Sequence, residues 1–256
     1  MERLVSTLVL IHAFPLDHRM FDEVADEVAQ SGWQVILPDL RGCGGASDFE
    51  GEPSLDVCAD DIVRILDRLG VERAVVGGCS LGGYVTLALL RRYPERVAGV
   101  ILIDTKAAAD SEEARANRLR MAEIVTKAGS TEPLWSAMLP NALGRTTQDQ
   151  RPAVVELARS IMADSNPTGI ANLQLAMASR VDGHQALREA KVPVLSIRGD
   201  EDTITSADDH ARMATAAREA IEVELPGVGH LAPLEAPKEV SAAIVDFLGK
   251  LKKPSC

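Results

Sequence analysis

The sequence predicts an α/β protein: a mostly parallel, open sheet of about six strands, helices on both faces, and a block of helices inserted after the fourth strand. Three observations predict it. Apolar runs of strand length alternate with segments of helical period. The runs are almost continuously apolar rather than alternating, as strands covered on both faces must be. From about Lys106 to Ala190 no strand-like run occurs.

The elements follow in order. "TLVLIH" (Thr7–His12) reads as a buried strand. "MFDEVADEVAQSG" follows as a helix with Phe21, Val24, Ala25 and Val28 on one face and Gly32 as its stop. "WQVILPD" (Trp33–Asp39) is the next strand, and a loop with four glycines, "LRGCGGASDFEGEP", leads out of it. Ser54 is placed to cap a helix whose Cys58, Ile62, Ile65, Leu66 and Leu69 recur at helical spacing up to Gly70. "RAVVGG" is a strand, "LGGYVTLALLRRY" a helix closed by Pro94, and "VAGVILID" (Val97–Asp104) a strand. Helices are expected at Glu112–Ala128, Thr131–Met138, Gln150–Ala163 and Pro167–Ser179, the last with Asn166 as cap and Pro167 at its first position. "VPVLSIRGD" and "AIEVELPG" are strands. A closing helix begins near Pro237, with Val240, Ile244, Phe247, Leu248 and Leu251 as one stripe. The core is therefore assigned to residues 1–105 and 191–256, and residues 106–190 to a helical lid.

Composition excludes several classes. The net charge is −11, and no cluster of Lys and Arg of the kind a duplex-binding surface needs occurs beyond Lys252-Lys253. Nucleic acid is not an expected partner. Cys43, Cys58, Cys79 and Cys256 form no C-x-x-C pair or disulfide framework, which fits a reducing, cytoplasmic location. The N-terminus reads as a strand rather than a signal peptide. Ala74–Leu90 carries no charge, but Gly77, Gly78, Gly82 and Gly83 make it a poor bilayer span, so no membrane association is expected.

That same stretch carries the chemistry. Gly78-Cys79-Ser80-Leu81-Gly82 fits G-x-S-x-G on a strand running into a helix. The nucleophile in such a turn sits on a sharp bend, and its neighbours two before and two after must be small because the backbone folds back on them. Centred on Ser80 the flanks are Gly78 and Gly82. Centred on Cys79 they are Gly77 and Leu81, and Leu81 would clash. Ser80 is thus the nucleophile, Cys79 a buried thiol, and the Leu81 amide an oxyanion donor from the helix N-terminus. No Gly-Lys-Ser/Thr follows, so a phosphate loop is excluded. A base and an orienting acid are then needed downstream. Asp200, Glu201 and Asp202 follow one strand, and His230 follows the next, at the edge where open parallel sheets bind ligands. His230 is the base. Asp104, after an earlier strand, is read as a loop or cap residue. His12 is expected to be structural, Asp39 and Arg41 to brace the glycine loop, and His18, His184 and His210 to lie on solvated faces. No metal site and no cofactor are expected.

"HAFPLDHRM", "PDLRGCGGAS", "GCSLGG", "GDED" and "GVGHLAPLEAP" together resemble the α/β-hydrolase superfamily over nearly the whole chain. The resemblance selects Asp202 as the acid and the Phe14 amide as the second oxyanion donor. It also implies that the first hairpin of the family is truncated, because the chain starts almost at the family's third strand. Ala13 stands where the family usually has glycine. Trp135, Met138 and Leu139 are placed to line a pocket under the lid or to pack as plain helix core. The function implied is a serine hydrolase of a small-molecule carboxylic ester or lactone, with Ser80, Asp202 and His230 as triad. The segment around Phe14 is similar to small esterases, cofactor-free perhydrolases and 3-oxoadipate enol-lactonases. Perhydrolysis at the same site and a triad-bearing ligand sensor with little turnover are the alternatives.

Overall fold

Along β1 (Thr7–Ile11) the side chains of Leu8 and Leu10 leave one side of the strand and Val9 and Ile11 the other, and all four are buried. Such a strand must be covered on both faces. The computed structural model describes residues 6–46 and 51–251 and shows that it is. Leu8 and Leu10 pack with Val75, Ile101, Ile103, Leu195 and Phe247, whereas Val9 and Ile11 pack with Val76, Val100, Leu102 and Leu173. Ser47, Lys252, Lys253 and Cys256 lie outside the described residues.

The remaining strands are β2 (Gln34–Ile36), β3 (Ala74–Cys79), β4 (Val97–Ile103), β5 (Val194–Gly199) and β6 (Ala220–Leu225). They form one sheet in the order β2-β1-β3-β4-β5-β6, and each pairing between these strands is parallel. Parallel pairing puts the carboxyl ends of all six strands on one edge. The chain order reverses between β1 and β3, which makes that point of the edge the natural crevice. Ile11 pairs with Gly78, Cys79 with Ile103, and Ile103 with Ile197, so the loops leaving β1, β3, β4 and β5 start side by side.

The helices are α1 (Asp22–Gln30), α2 (Leu55–Arg68), α3 (Leu81–Arg92), α4 (Glu112–Ala128), α5 (Glu132–Ala142), α6 (Arg145–Gln150), α7 (Pro152–Ala163), α8 (Pro167–Ala178), α9 (His184–Glu189), α10 (Ala207–Ala216), α11 (Ala232–Glu235) and α12 (Pro237–Leu251). Their caps follow the expected residues. Ser54 accepts from the Asp56 amide, Asn166 from the Gly169 amide, and Gly70 turns out of α2 with φ +65°. Short polar side chains at these positions satisfy amides that have no partner inside the helix.

Several expectations need correction. The stretch expected as one helix over Gln150–Ala163 is broken at Arg151, because Pro152 starts α7 and forces the preceding residue out of helical geometry. Leu69 is 51% exposed: it caps α2 as the helix ends, so it leaves the stripe set by Cys58, Ile62 and Leu66. His210 is not solvated. It is buried where α10 packs on β5, with Nδ1 2.7 Å from Ser196 Oγ, and burial pushes its pKa down to about 4. His18 and His184 are part-exposed, each beside an aspartate, Asp39 and Asp182.

Between β4 and β5 the chain is helical, α4 to α9. α4 packs along α8. The Asp110 carboxylate ties them to α3: it pairs with Arg118 of α4 and with Arg180 Nη1 at 2.6 Å, and the Arg180 guanidinium stacks 4.1 Å over the Tyr84 ring.

Candidate active site

β3 ends at Cys79, and α3 begins at Leu81, so one residue must make the whole turn. Ser80 does so with φ 52° and ψ −110°, a region that costs a residue with a Cβ of order 1–3 kcal/mol and persists only where neighbours enforce it. Its amide donates to Ile103 O at 2.9 Å, and Thr105 Oγ1 donates to its carbonyl at 2.8 Å. The flanking glycines are required. A Cβ on Gly78 would fall 2.3 Å from the backbone of Gly82. Cys79 points the other way, fully buried, with its thiol 3.5 Å from the His230 carbonyl oxygen. Burial holds that thiol well above its usual pKa.

His230 reaches Ser80 from the loop after β6. Its Nε2 is 2.8 Å from Ser80 Oγ, and its Nδ1 is 2.9 Å from Asp202 Oδ2. An ionised carboxylate can only accept, so Nδ1 carries the proton and Nε2 is left to accept from the Ser80 hydroxyl. Asp202 is held in turn. Its Oδ1 accepts from the amides of Ile204 (2.7 Å) and Thr205 (3.1 Å), and its Oδ2 accepts from Thr205 Oγ1. Burial would raise the Asp202 pKa, but the His230 bond, the His230 charge and the Thr205 and Ile204 donors outweigh it and bring it to about 2. Burial would likewise lower His230. The bond and charge of Asp202, with smaller contributions from Asp104 and Glu235, raise it overall. These contacts fit a Ser-His-Asp triad.

The loop after β1 lies beside Ser80. His12 is fully buried; its Nδ1 donates to Ala13 O at 2.9 Å, and its Nε2 accepts from the Leu40 amide at 2.9 Å. Both nitrogens are used, as a bracing residue requires. Ala13 takes no positive φ, so the backbone there has no need of glycine. Its amide meets Met20 Sδ, and its carbonyl accepts from Leu16. The amides of Phe14 and of Leu81, the first residue of α3, make no hydrogen bond to protein among the described residues.

Asp39 accepts from the amides of His18 and Gly45, and Arg41 pairs with Asp61 of α2, so both brace the glycine loop. Asp17, His18 and Asp39 bring a ligand atom each within 4.8 Å of one another, a grouping that spacing along the chain did not single out; Arg19 already pairs with Asp17 at 2.7 Å. On α5, Trp135 and Leu139 are half-buried against the α7 and α12 side of the core. Met138 touches both sides of the core and lines a cavity with Leu134, Met121, Arg118 and Gln174.

Two further buried carboxylates hold the loops around His230: Asp104 in the loop role expected of it, and Glu235, which the sequence did not single out. Asp104, with φ 42°, accepts from the amides of Gly199 (2.9 Å) and Ala232 (3.0 Å), joining the end of β5 to the His230 loop. Burial, opposed by His230 and reinforced by Asp202, brings its pKa up to about 7. Glu235, five residues after His230, accepts from three amides. The only sequence signal for it was an acid inside the apolar run "HLAPLEAP".

Comparison with known proteins agrees with this arrangement. The model of the α/β hydrolase fold matches residues 6–237. A thermophilic esterase from Thermogutta terrifontis, solved with malate bound, superposes with a TM-score of 0.93 at 35% identity, covering 96% of this chain and 90% of that one. An enol-lactonase from Burkholderia xenovorans superposes at 0.85 with 26% identity, covering 96% and 92%. The 3-oxoadipate enol-lactonase 2 of Acinetobacter baylyi is 28% identical over 84% of this chain and 78% of its own. No helix among the described residues is long and apolar enough to cross a membrane. A family match over most of the chain, on a parallel sheet whose switch point carries a strained serine, identifies the protein as a member of the α/β-hydrolase superfamily.

Proposed function

We propose that the protein is a serine hydrolase of a small carboxylic ester or lactone, with Ser80 as nucleophile, His230 as base and Asp202 as orienting acid. The observation that carries this reading is the unbroken relay of 2.8 and 2.9 Å from Ser80 Oγ through His230 to Asp202. Ser80 Oγ attacks the carbonyl carbon while its proton passes to His230 Nε2. The oxyanion forms against the Phe14 and Leu81 amides, where each donor contributes about 3 kcal/mol. His230 then protonates the leaving oxygen. Water, deprotonated by the same nitrogen, attacks the acyl-enzyme and releases the acid. Asp202 stays ionised throughout, in keeping with its low pKa.

Residues 106–190 act as the lid in this reading, and Met138, which lines a cavity between α4, α5 and α8, is the α5 residue proposed to line the substrate pocket. The esterase and the enol-lactonases among the relatives support ester and lactone chemistry. The deciding experiment is hydrolysis of p-nitrophenyl esters from acetate to laurate, and of an enol-lactone, by wild type and Ser80→Ala. Turnover that disappears in the variant supports the reading; no turnover on any of them overturns it.

A further inference from the structure

The His230 loop is gripped by a carboxylate that takes no part in the relay. Glu235 is 2% exposed. Its Oε1 accepts from the amides of Gly229 (3.1 Å) and Leu231 (3.2 Å), the residues on either side of His230. Its Oε2 accepts from the Gly144 amide at 2.9 Å, in the turn between α5 and α6. The helical insertion meets the loop at further points. The His230 amide donates to Ala142 O at 3.2 Å, Arg151 donates to the Glu235 and Gly227 carbonyls, and a Cβ on Gly229 would fall 2.0 Å from the Gly144 nitrogen.

We infer that Glu235 is a positioning residue for His230: its carboxylate holds the amides of the residues on either side of the base and locks them to the helical insertion. The inference rests on the serine-hydrolase reading above. The physical argument has two parts. A buried carboxylate accepting three amide protons needs all three, since each group left unpaired costs its full desolvation. The loop therefore has one low-energy arrangement, and it is the one that puts Nε2 on Ser80 Oγ. Second, a fixed negative charge beside an imidazole favours the imidazolium formed during acyl transfer. The charged and titratable groups facing His230 and its loop are Asp202 and Asp104 from the sheet edge, Asp200 and Glu201 after β5, His210 of α10, Glu235 itself, the Cys79 thiol below the His230 carbonyl, and Arg151 outside Glu235.

The test uses the intact protein and two readouts: the kcat/KM pH profile, and the pH-dependent rate at which a fluorophosphonate labels Ser80. Glu235→Gln removes the charge and turns two donor protons toward amide donors. It is expected to lower kcat by about 10- to 100-fold with little change in KM, and to move the acid limb of both profiles to lower pH. Glu235→Asp keeps the charge but shortens the reach, so its rate falls while its acid limb stays with wild type; it serves also if Glu235→Gln does not fold. Thr146→Val, which removes the neighbouring 2.7 Å anchor to Glu201, lowers thermal stability without moving either limb. Wild-type rates in both Glu235 variants, or a rate loss in Glu235→Gln without movement of the acid limb, would overturn the inference. Failure of the wild-type protein to label at Ser80 would instead overturn the serine-hydrolase reading.

Discussion

A Cβ placed on Gly82 would lie 2.0 Å from the carbonyl oxygen of Ile11. The first turn of α3 is therefore pressed against the end of β1, and this contact brings Ser80 beside the Phe14 loop. Gly82→Ala is expected to force the two apart. Overpacking of this kind costs roughly 1–3 kcal/mol. Urea unfolding should show the loss, and ester hydrolysis should fall with it. An unchanged midpoint would contradict the close approach.

Ser80→Ala removes the nucleophile without touching the core. Hydrolysis should drop by about a thousandfold or more, while the melting temperature stays close to wild type. Cys79→Ala, one position away, should keep most of the activity because its thiol faces the core. Complete loss in Cys79→Ala with activity kept in Ser80→Ala would reverse the assignment.

The active form has neutral His230. Burial lowers its pKa, but the Asp202 bond and charge outweigh burial, so the net value stands above the usual 6.5. Activity should consequently fall as pH drops through a value above 6.5. Asp202→Asn removes the charge that raises it, so the acid limb of kcat/KM should move down. The maximal rate should fall by roughly 10⁴-fold as the tautomer is lost. A pH profile that is flat from 6 to 8 in the wild type would sink this assignment.

Cys43, Cys58 and Cys79 are all buried, and burial raises each thiol, Cys58 to about 12. Thiolates are the reactive form, so none of the three should react with a disulfide reagent in the native protein at pH 8. All three should react in denaturant. Peptide mapping of the labelled native protein distinguishes these sites from Cys256; modification at Cys79 before unfolding would disprove its orientation.

Much of the site was legible along the chain, for local reasons. Ser80 could be chosen over Cys79 because the steric demand of a one-residue turn falls on positions two either side of it, and those are printed in the sequence. The caps at Ser54 and Asn166 were equally legible, since a cap bonds an amide two or three residues on. Helix breaks were harder. The break between α6 and α7 falls one residue into the expected helix Gln150–Ala163: Pro152 takes Arg151 out of helical geometry, and Arg145–Asp149 has no apolar residue to show a helical period. His210 departs from its expected solvated face for the opposite reason. A lone histidine in "SADDHARMA" carries a polar pattern, and only the docking of α10 on β5 brings it against Ser196.

By itself, then, the sequence determined the order of the six strands and of the helices other than α6, α9, α10 and α11, the turn at Ser80, and the loops in which an acid and a histidine would follow. Periodicity and turn sterics act over a few residues, and a few residues suffice to read them. Tertiary structure decided which groups meet across long separations: the 2.8 Å contact between Ser80 and His230, Asp104 bridging Gly199 and Ala232, and Glu235 joining Gly144 to the histidine loop. Those meetings depend on parallel strands delivering their carboxyl ends to one edge. A buried carboxylate's partners there are backbone amides, which every residue but proline carries alike, so the sequence leaves no mark of which ones it will hold.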